Sequence, residues 1–321
     1  MTTSSSSTLT VSEKLSGQRI DVVLATLLPQ YSRSQLSSWL KLGLITVNGK
    51  HIKPKEKVFA ASSIEIPENW PEHQDINQTC LAEDIPLNII YEDPYLIIIN
   101  KPPGLVVHPG AGNKDHTLVN ALLHHAPQLH ELPRAGIIHR LDKDTTGLLV
   151  IAKTLTAYTS LVRQMQAREI KRHYLGLVLG HVISGGTIDT LYGRHPHNRL
   201  KMTVGVGKRQ AITHYRVSQH YQAYFTLLNI TLETGRTHQI RVHMHHINHP
   251  IFGDPLYGKR PKIPTELAED LQKQLLSFNR QALHASTLTL THPEHHETLT
   301  FTAALPDDLQ TILTILDNYL A

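Results

Sequence analysis

Cysteine is almost absent from this chain: among 321 residues only Cys80 occurs. No disulfide can form within the chain, which excludes the small disulfide-stapled scaffolds and fits a reducing compartment. Aromatic residues make up only 6 %, so the core has to rest on leucine, isoleucine and valine. No apolar run approaches the ~20 residues that cross a bilayer, so no membrane span is expected. The opening Met1-Thr2-Thr3-Ser4-Ser5-Ser6-Ser7 has neither the basic nor the apolar region of a signal peptide. It reads as part of a polar, disordered tail over residues 1–14, and the chain is expected to be cytoplasmic.

Charge of one sign is missing in places. Residues 194–216 hold six Lys or Arg and no acid, and residues 31–57 hold six against the single Glu56. Residues 65–93 reverse this, with eight acids and no Lys or Arg. The net charge is only +4, yet two separate basic patches point to a polyanionic partner. The length allows two or three domains.

Residues 15–66 read as a first small domain. Ile20, Val23, Leu24, Leu27 and Leu28 recur at helical spacing, with Pro29 as a stop. A second helix carries Leu36, Trp39 and Leu40 and ends at Gly43. Asn48-Gly49 lies between two strand-like runs, a strong hairpin signal because both turn positions need positive φ. Ser63–Ile66 closes the unit as a strand. Arg33-Ser34-Gln35-Leu36 and Val47-Asn48-Gly49-Lys50, in this layout, resemble the S4-type RNA-binding domain. The resemblance implies that Arg33, Lys41 and Lys50 contact phosphates, which give affinity and register without sequence information. Residues 67–86 are an acidic linker by composition.

Residues 87–321 alternate many antiparallel-type strands with a few helices, predicting an α+β domain on one large mixed, mainly antiparallel sheet. Three islands in it are too polar for their surroundings. The first is His139-Arg140-Leu141-Asp142, which precedes the apolar run Gly147–Ala152. Charge is costly to bury, so such a cluster at a strand mouth suits a reactive group better than a structural one. The second is Lys171-Arg172-His173-Tyr174. The third, Thr234–His243, runs into a helix expected over Thr237–Ile247 with Thr237 as N-cap. Ile240, Met244 and Ile247 form its apolar face, and His238, Arg241 and His245 are expected to point together on the opposite one.

The three islands, in this order, resemble the RluA family of pseudouridine synthases. The resemblance covers about residues 15 to 315. It includes Gln164-Met165-Gln166-Ala167-Arg168, Gly193-Arg194-His195-Pro196, Gly253-Asp254-Pro255-Leu256-Tyr257-Gly258 and Arg280-Gln281-Ala282-Leu283-His284-Ala285. His173 and the stretch His292–His296 depart from the usual pattern. The family isomerises uridine within RNA and needs one ionised carboxylate beside the sugar but no cofactor. By resemblance that carboxylate is Asp142, as a nucleophile at C1′ or as a base at C2′. Arg241 matches the ion-pairing arginine, with Arg236 as the rival. Tyr174 matches the tyrosine that packs on the base. Arg140 matches the arginine that enters the RNA stack when the target flips out, a step costing a few kcal/mol. Asp144 is the internal rival of Asp142. The implied substrate is large-subunit (23S) ribosomal RNA, free or in a pre-ribosomal large subunit, with several uridines in one hairpin loop. The cleft is expected between the sheet and the basic segment 194–216, with Arg194 contacting RNA, and the protein is expected to be a monomer.

Other chemistries fit less well. His238, His243, His245, His246 and His249 lack the spacing and the acidic or thiol neighbours of a closed zinc site, so no metal is expected. No Gly-x-Ser-x-Gly elbow supports a hydrolase. A non-catalytic rRNA-binding assembly factor shares the basic patches but leaves Asp142, Tyr174 and Arg241 unexplained.

Overall fold

The computed structural model describes residues 6–28, 31, 33–67, 80–110 and 112–321. The chain divides into two units, Met1–Gln74 and Asp75–Ala321.

The first unit contains β1 (Ser6–Thr10), α1 (Ile20–Leu27), α2 (Arg33–Lys41), β2 (Thr46–Val47), β3 (Lys50–His51) and β4 (Ser63–Pro67). The four strands run in the order β1-β4-β2-β3. Asn48 (φ 51°) and Gly49 (φ 69°) take the left-handed backbone that the two-residue turn between β2 and β3 demands. Ile20, Val23 and Leu24 of α1 pack with Leu36, Trp39 and Leu40 of α2 over Ile45, Val47, Ile64 and Ile66. The expected disordered tail is corrected here. Residues 6–10 form an antiparallel edge on β4, from Ser6 opposite Pro67 to Thr10 opposite Ser63. The β4 edge supplies the partner, and the segment suits it: Thr8 and Thr10 are β-branched, Leu9 packs against the core, and Val11 is buried in it.

Of the acidic linker, residues 68–79 lie outside the described residues. From Cys80 onward the chain already belongs to the second unit, a further correction. Asn120 donates to the Leu81 carbonyl at 2.7 Å, Glu83 accepts from the His116 backbone at 2.9 Å, and Cys80 packs on the large core.

The second unit has β5 (Ile89–Glu92), β6 (Leu96–Lys101), α3 (Leu118–His125), β7 (Thr146–Ala152), α4 (Leu155–Gln166), β8 (Lys171–Leu179) and β9 (Gly186–Arg194). β10 (Met202–Val204), β11 (Arg209–Tyr221), β12 (Phe225–Leu232), α5 (Gln239–His246), α6 (Glu269–Ser277), β13 (Leu283–Thr291), β14 (Thr298–Thr302) and α7 (Asp307–Tyr319) complete it. Ten strands form one sheet in the order β10-β9-β11-β12-β8-β13-β7-β6-β5, with β14 on β13. All pairings are antiparallel except β13 with β7. The basic stretch 194–216 is thus largely strand.

Both faces of the sheet centre are covered, so β6 and β7 read as unbroken apolar runs rather than as alternation. Ile97, Ile99, Leu149 and Ile151 face the larger core with α3, α5 and α7, while Leu96, Ile98, Leu148 and Val150 face α4. Each fully buried Ile or Leu of this set contributes roughly 1.5–3 kcal/mol. Gly147 makes the parallel contact possible. Its φ is 109°, and an added Cβ would lie 2.3 Å from the Ala285 carbonyl oxygen. Only glycine lets β7 meet β13 there, and that junction sets where residues 142–146 emerge.

Candidate active site

Asp142 sits in the turn that leads into β7, where the Thr145 N–H donates to its carbonyl at 3.1 Å. Side chains from elsewhere in the sheet fasten this turn. Lys101, at the end of β6, donates to the Lys143 carbonyl at 2.7 Å and to those of Pro102 and Leu105 at 2.7 and 3.0 Å. Arg280 donates to the Asp144 carbonyl at 3.2 Å and grips Asp308 of α7 with a two-pronged pair at 2.6 and 2.7 Å. Gln281 donates to Thr145 Oγ1 at 3.0 Å, and Thr146 Oγ1 meets His284 Nδ1 at 2.9 Å. Lys101 is fully buried. Burial pushes its amine down to about 7, against the pull of Asp144 and Asp142. Its three carbonyl partners match the three N–H donors of the ammonium form.

Arg241 reaches the turn from α5. Its Nη1 donates to Asp142 Oδ2 at 2.9 Å, while Nε and Nη2 donate to Asp254 Oδ2 and Oδ1 at 2.7 and 2.8 Å. The guanidinium also lies 5.2 Å from the Tyr257 ring centre. Burial opposes its charge, but Asp254 and Asp142 outweigh that and hold its pKa above the ordinary value. Asp254 is itself locked by the backbone N–H groups of Leu256 and Tyr257 at 2.8 and 3.0 Å. One arginine thus bridges a fully buried carboxylate and a partly open one, whose side chains are 0 % and 15 % exposed. Asp142 Oδ1 accepts no hydrogen bond from the described residues; its nearest cation-forming neighbour is His238 Nε2 at 3.9 Å.

The helix carrying Arg241 starts later than its sequence suggests. It begins at Gln239 behind His238, which takes left-handed backbone (φ 58°), so Thr237 is not the N-cap. No side chain caps the helix; the Gln239 side chain instead ties down the preceding loop by accepting from the Arg236 N–H at 3.0 Å and from Thr234 Oγ1 at 2.8 Å. The offset bends His238 toward Tyr257, whose hydroxyl lies 2.8 Å from His238 Nδ1 and accepts from the Met202 N–H at 2.8 Å. A phenol that accepts from Met202 has its own proton to give to Nδ1. Neutral His238 therefore carries its hydrogen on Nε2, facing Asp142. Burial keeps the imidazole neutral by lowering its pKa, against the pull of Asp142. His245 is exposed and reaches the group only through the Tyr257 ring, 6.4 Å from its own.

Asp142, His238 and Arg241 line a cleft of about 240 Å³ with Val106, Val107, Asn113, Arg140, Asp144 and Gln281. Arg140 is exposed at this cleft. No residue of 194–216 lines this pocket itself, but the Met202 N–H bonds the Tyr257 hydroxyl that meets His238 at its wall. Met202 and Val204 of that segment pack on Tyr192, Val242 and Tyr257. Arg236 is also excluded from the pairing, since it donates to the Gln210 carbonyl instead.

The other expected site residues are spread out. Tyr174 is buried at 4 % exposure in the large core and is not among the residues lining the cleft. Burial raises its pKa, with Arg172 opposing and Asp142 adding to the rise. Arg194, at the end of β9, donates to the Arg199 carbonyl. In the first unit, Arg33 pairs with Asp21 at 2.9 Å, and Lys41 and Lys50 are exposed. Among the described residues no cluster of three or more His, Cys, Asp or Glu has the geometry to hold a metal ion. Sequence reading assigned no part to Asp254, Lys101 or Arg280. The motif Gly253–Gly258 was the available signal for Asp254, but a motif does not name a partner thirteen residues away.

Residues 95–246 match the family described as RNA pseudouridylate synthase, and residues 18–58 match the S4 domain. The chain is 48 % identical over 310 residues to the ribosomal large subunit pseudouridine synthase D of Escherichia coli (strain K12), covering 96 % of this chain and 94 % of that protein. It is 47 % identical over 309 residues to the protein of the same name from Xanthomonas campestris pv. campestris, covering 95 % and 91 %. Among solved structures, human RNA pseudouridylate synthase domain containing 4 shares 26 % identity at a TM-score of 0.54, covering 72 % of this chain and 93 % of that one. The corresponding domain containing 1 protein, at 24 % identity and the same TM-score, covers 76 % and 90 % and shows the fold alone.

Proposed function

The chain belongs to the RNA pseudouridylate synthase family, and from that premise we propose that it isomerises uridine to pseudouridine in the RNA of the large ribosomal subunit, with Asp142 as the acting carboxylate. The observation that carries this is the half-tethered Asp142: Oδ2 is held by Arg241 at 2.9 Å while Oδ1 stays free beside the cleft. A carboxylate with one oxygen fixed and one free is positioned to act on a sugar carbon or its neighbouring proton without losing its counter-charge. Asp144 lines the same cleft but forms no ion pair with a described residue.

The reaction conserves composition. The C1′–N1 bond breaks, the uracil turns, C5 bonds to C1′, C5 gives up its proton and N1 takes one up. Asp142 either attacks C1′ or removes the C2′ proton. Arg241, gripped by Asp254, supplies the fixed counter-charge. Tyr174 packs against the base once it has left the stack, and Arg140, exposed at the cleft, takes its place there. Arg33, Lys41 and Lys50 of the S4 domain, with Arg194, add phosphate contacts that raise affinity independently of sequence. Several uridines of one hairpin loop are the expected targets, and the protein acts as a monomer in the cytoplasm.

The test is pseudouridine formation in unmodified large-subunit rRNA, mapped by reverse-transcription stops at chemical adducts, with wild type beside Asp142→Asn. Stops with wild type alone support the reading. Stops with both remove Asp142 from the chemistry and move the role to Asp144.

A further inference from the structure

Arg172 is the one charge beside this site whose burial the mechanism leaves unexplained. It is only 7 % exposed, and its Nε is sealed from solvent with no hydrogen-bond partner. Among the described residues no carboxylate pairs with it and no acceptor takes a bond from its guanidinium. Glu233, close in sequence to its neighbour Gly235, is committed to Arg168 and His214. Buried guanidinium groups are normally paired, because desolvating the charge is otherwise uncompensated.

The surroundings leave space for this tip. Gly235 leaves room for it: an added Cβ would lie 2.7 Å from Arg172 Nη1. The backbone there has no positive φ, so an added Cβ acts only by pushing the Arg172 tip aside. Tyr174 lies two residues along the same face of β8. His139 of the Asp142 island is close enough for the cation to help hold its imidazole neutral, after burial. The His139 Nδ1 is likewise buried without a partner.

We propose that Arg172 is an oxyanion seat, and that a phosphodiester group of the RNA next to the reacting uridine is its missing counter-ion. This rests on the pseudouridine synthase reading. A fork of N–H donors matches phosphate geometry, and a pairing completed only by substrate accounts for a charge that the free protein leaves uncompensated.

RNA affinity measured across a salt series in an Asp142→Asn background, together with thermal melting, tests it. Arg172→Gln is expected to weaken binding about tenfold to a hundredfold and to lower the salt slope by about 0.7–0.9. Its melting temperature is expected to stay level or rise, since an uncompensated charge has gone. Gly235→Ala, which keeps the charge but displaces the tip, is expected to lose affinity as well. A variant that melts lower while its salt slope is unchanged overturns the proposal and makes Arg172 a structural residue. Wild type that binds RNA but forms no pseudouridine refutes the enzymatic reading, and the slope comparison then still judges Arg172.

Discussion

Replacing Asp254 by Asn probes the buried ion network at its least exposed point. Oδ1 accepts three N–H groups, from Arg241 Nη2, Leu256 and Tyr257, while Oδ2 accepts from Arg241 Nε at 2.7 Å. Asparagine keeps the volume and can leave its carbonyl oxygen at the three-donor position. Its amide NH2 then faces Arg241 Nε–H, donor against donor, where a charge-assisted bond had been. Flipping the amide sets the NH2 against three donors, which is worse. Breaking a buried pair in this way costs about 3–5 kcal/mol. For a unit of this size that lowers the melting temperature by about 6–20 °C. Arg241 loses one of its three anchors and gains a donor facing its Nε–H, so Asp142 loses a firmly fixed partner. We expect the single-turnover rate to fall about tenfold to a hundredfold with little change in RNA affinity. The assay is release of tritium from C5-labelled uridine in an rRNA fragment, beside calorimetric melting. A variant that melts within about 1 kcal/mol of wild type and turns over normally would refute the idea that Asp254 holds Arg241.

Three further outcomes are expected. Burial holds His139 neutral, down to about 3, and His108 and His243 down to about 4, each below the ordinary imidazole value. The unfolded chain binds these protons near pH ~6.5 and the folded one resists. Stability is therefore fully present above that pH and falls as pH drops toward ~4, by of order 4 kcal/mol for His139 alone. Melting from pH 7.5 to 4.5 should show the decline, and His139→Gln should flatten part of it. Asp21→Asn should weaken RNA binding although it raises the net charge, because Asp21 holds Arg19 at 2.7 Å and Arg33 at 2.9 Å; tighter binding, as a lost negative charge alone would produce, would sink this. Gly147→Ala should cost at least about 3 kcal/mol in equilibrium unfolding, because the new carbon meets Ala285 backbone at both sides of the β7–β13 junction.

Local chemistry made much of this molecule legible before any coordinates. The Asn48-Gly49 hairpin, the apolar strands β6 and β7, and the inward face of α5 at Ile240 and Met244 follow from positive-φ demand and hydrophobic period, which neighbours in sequence settle among themselves. The first island likewise marks Asp142, because a charge cluster at the mouth of a buried strand has few structural uses. Where reading along the chain failed, a partner distant in sequence was responsible. The strand at Ser6–Thr10 exists because β4 offers an edge, and polar composition carries no record of that. The start of α5 shifted because His238 takes left-handed backbone and the Gln239 side chain fastens the loop before it, which leaves Thr237 outside the helix. Sequence favours Arg241 over its rival Arg236 by resemblance and helix face alone; the fold separates them by giving one two carboxylates and the other a backbone carbonyl. The pairing of Asp142, Arg241 and Asp254, the lysine under the turn and the solitary Arg172 all depend on which side chains a ten-stranded sheet brings within 3 Å or leaves alone. Sequence spacing encodes direction along one element, and electrostatic pairing across elements is decided by packing.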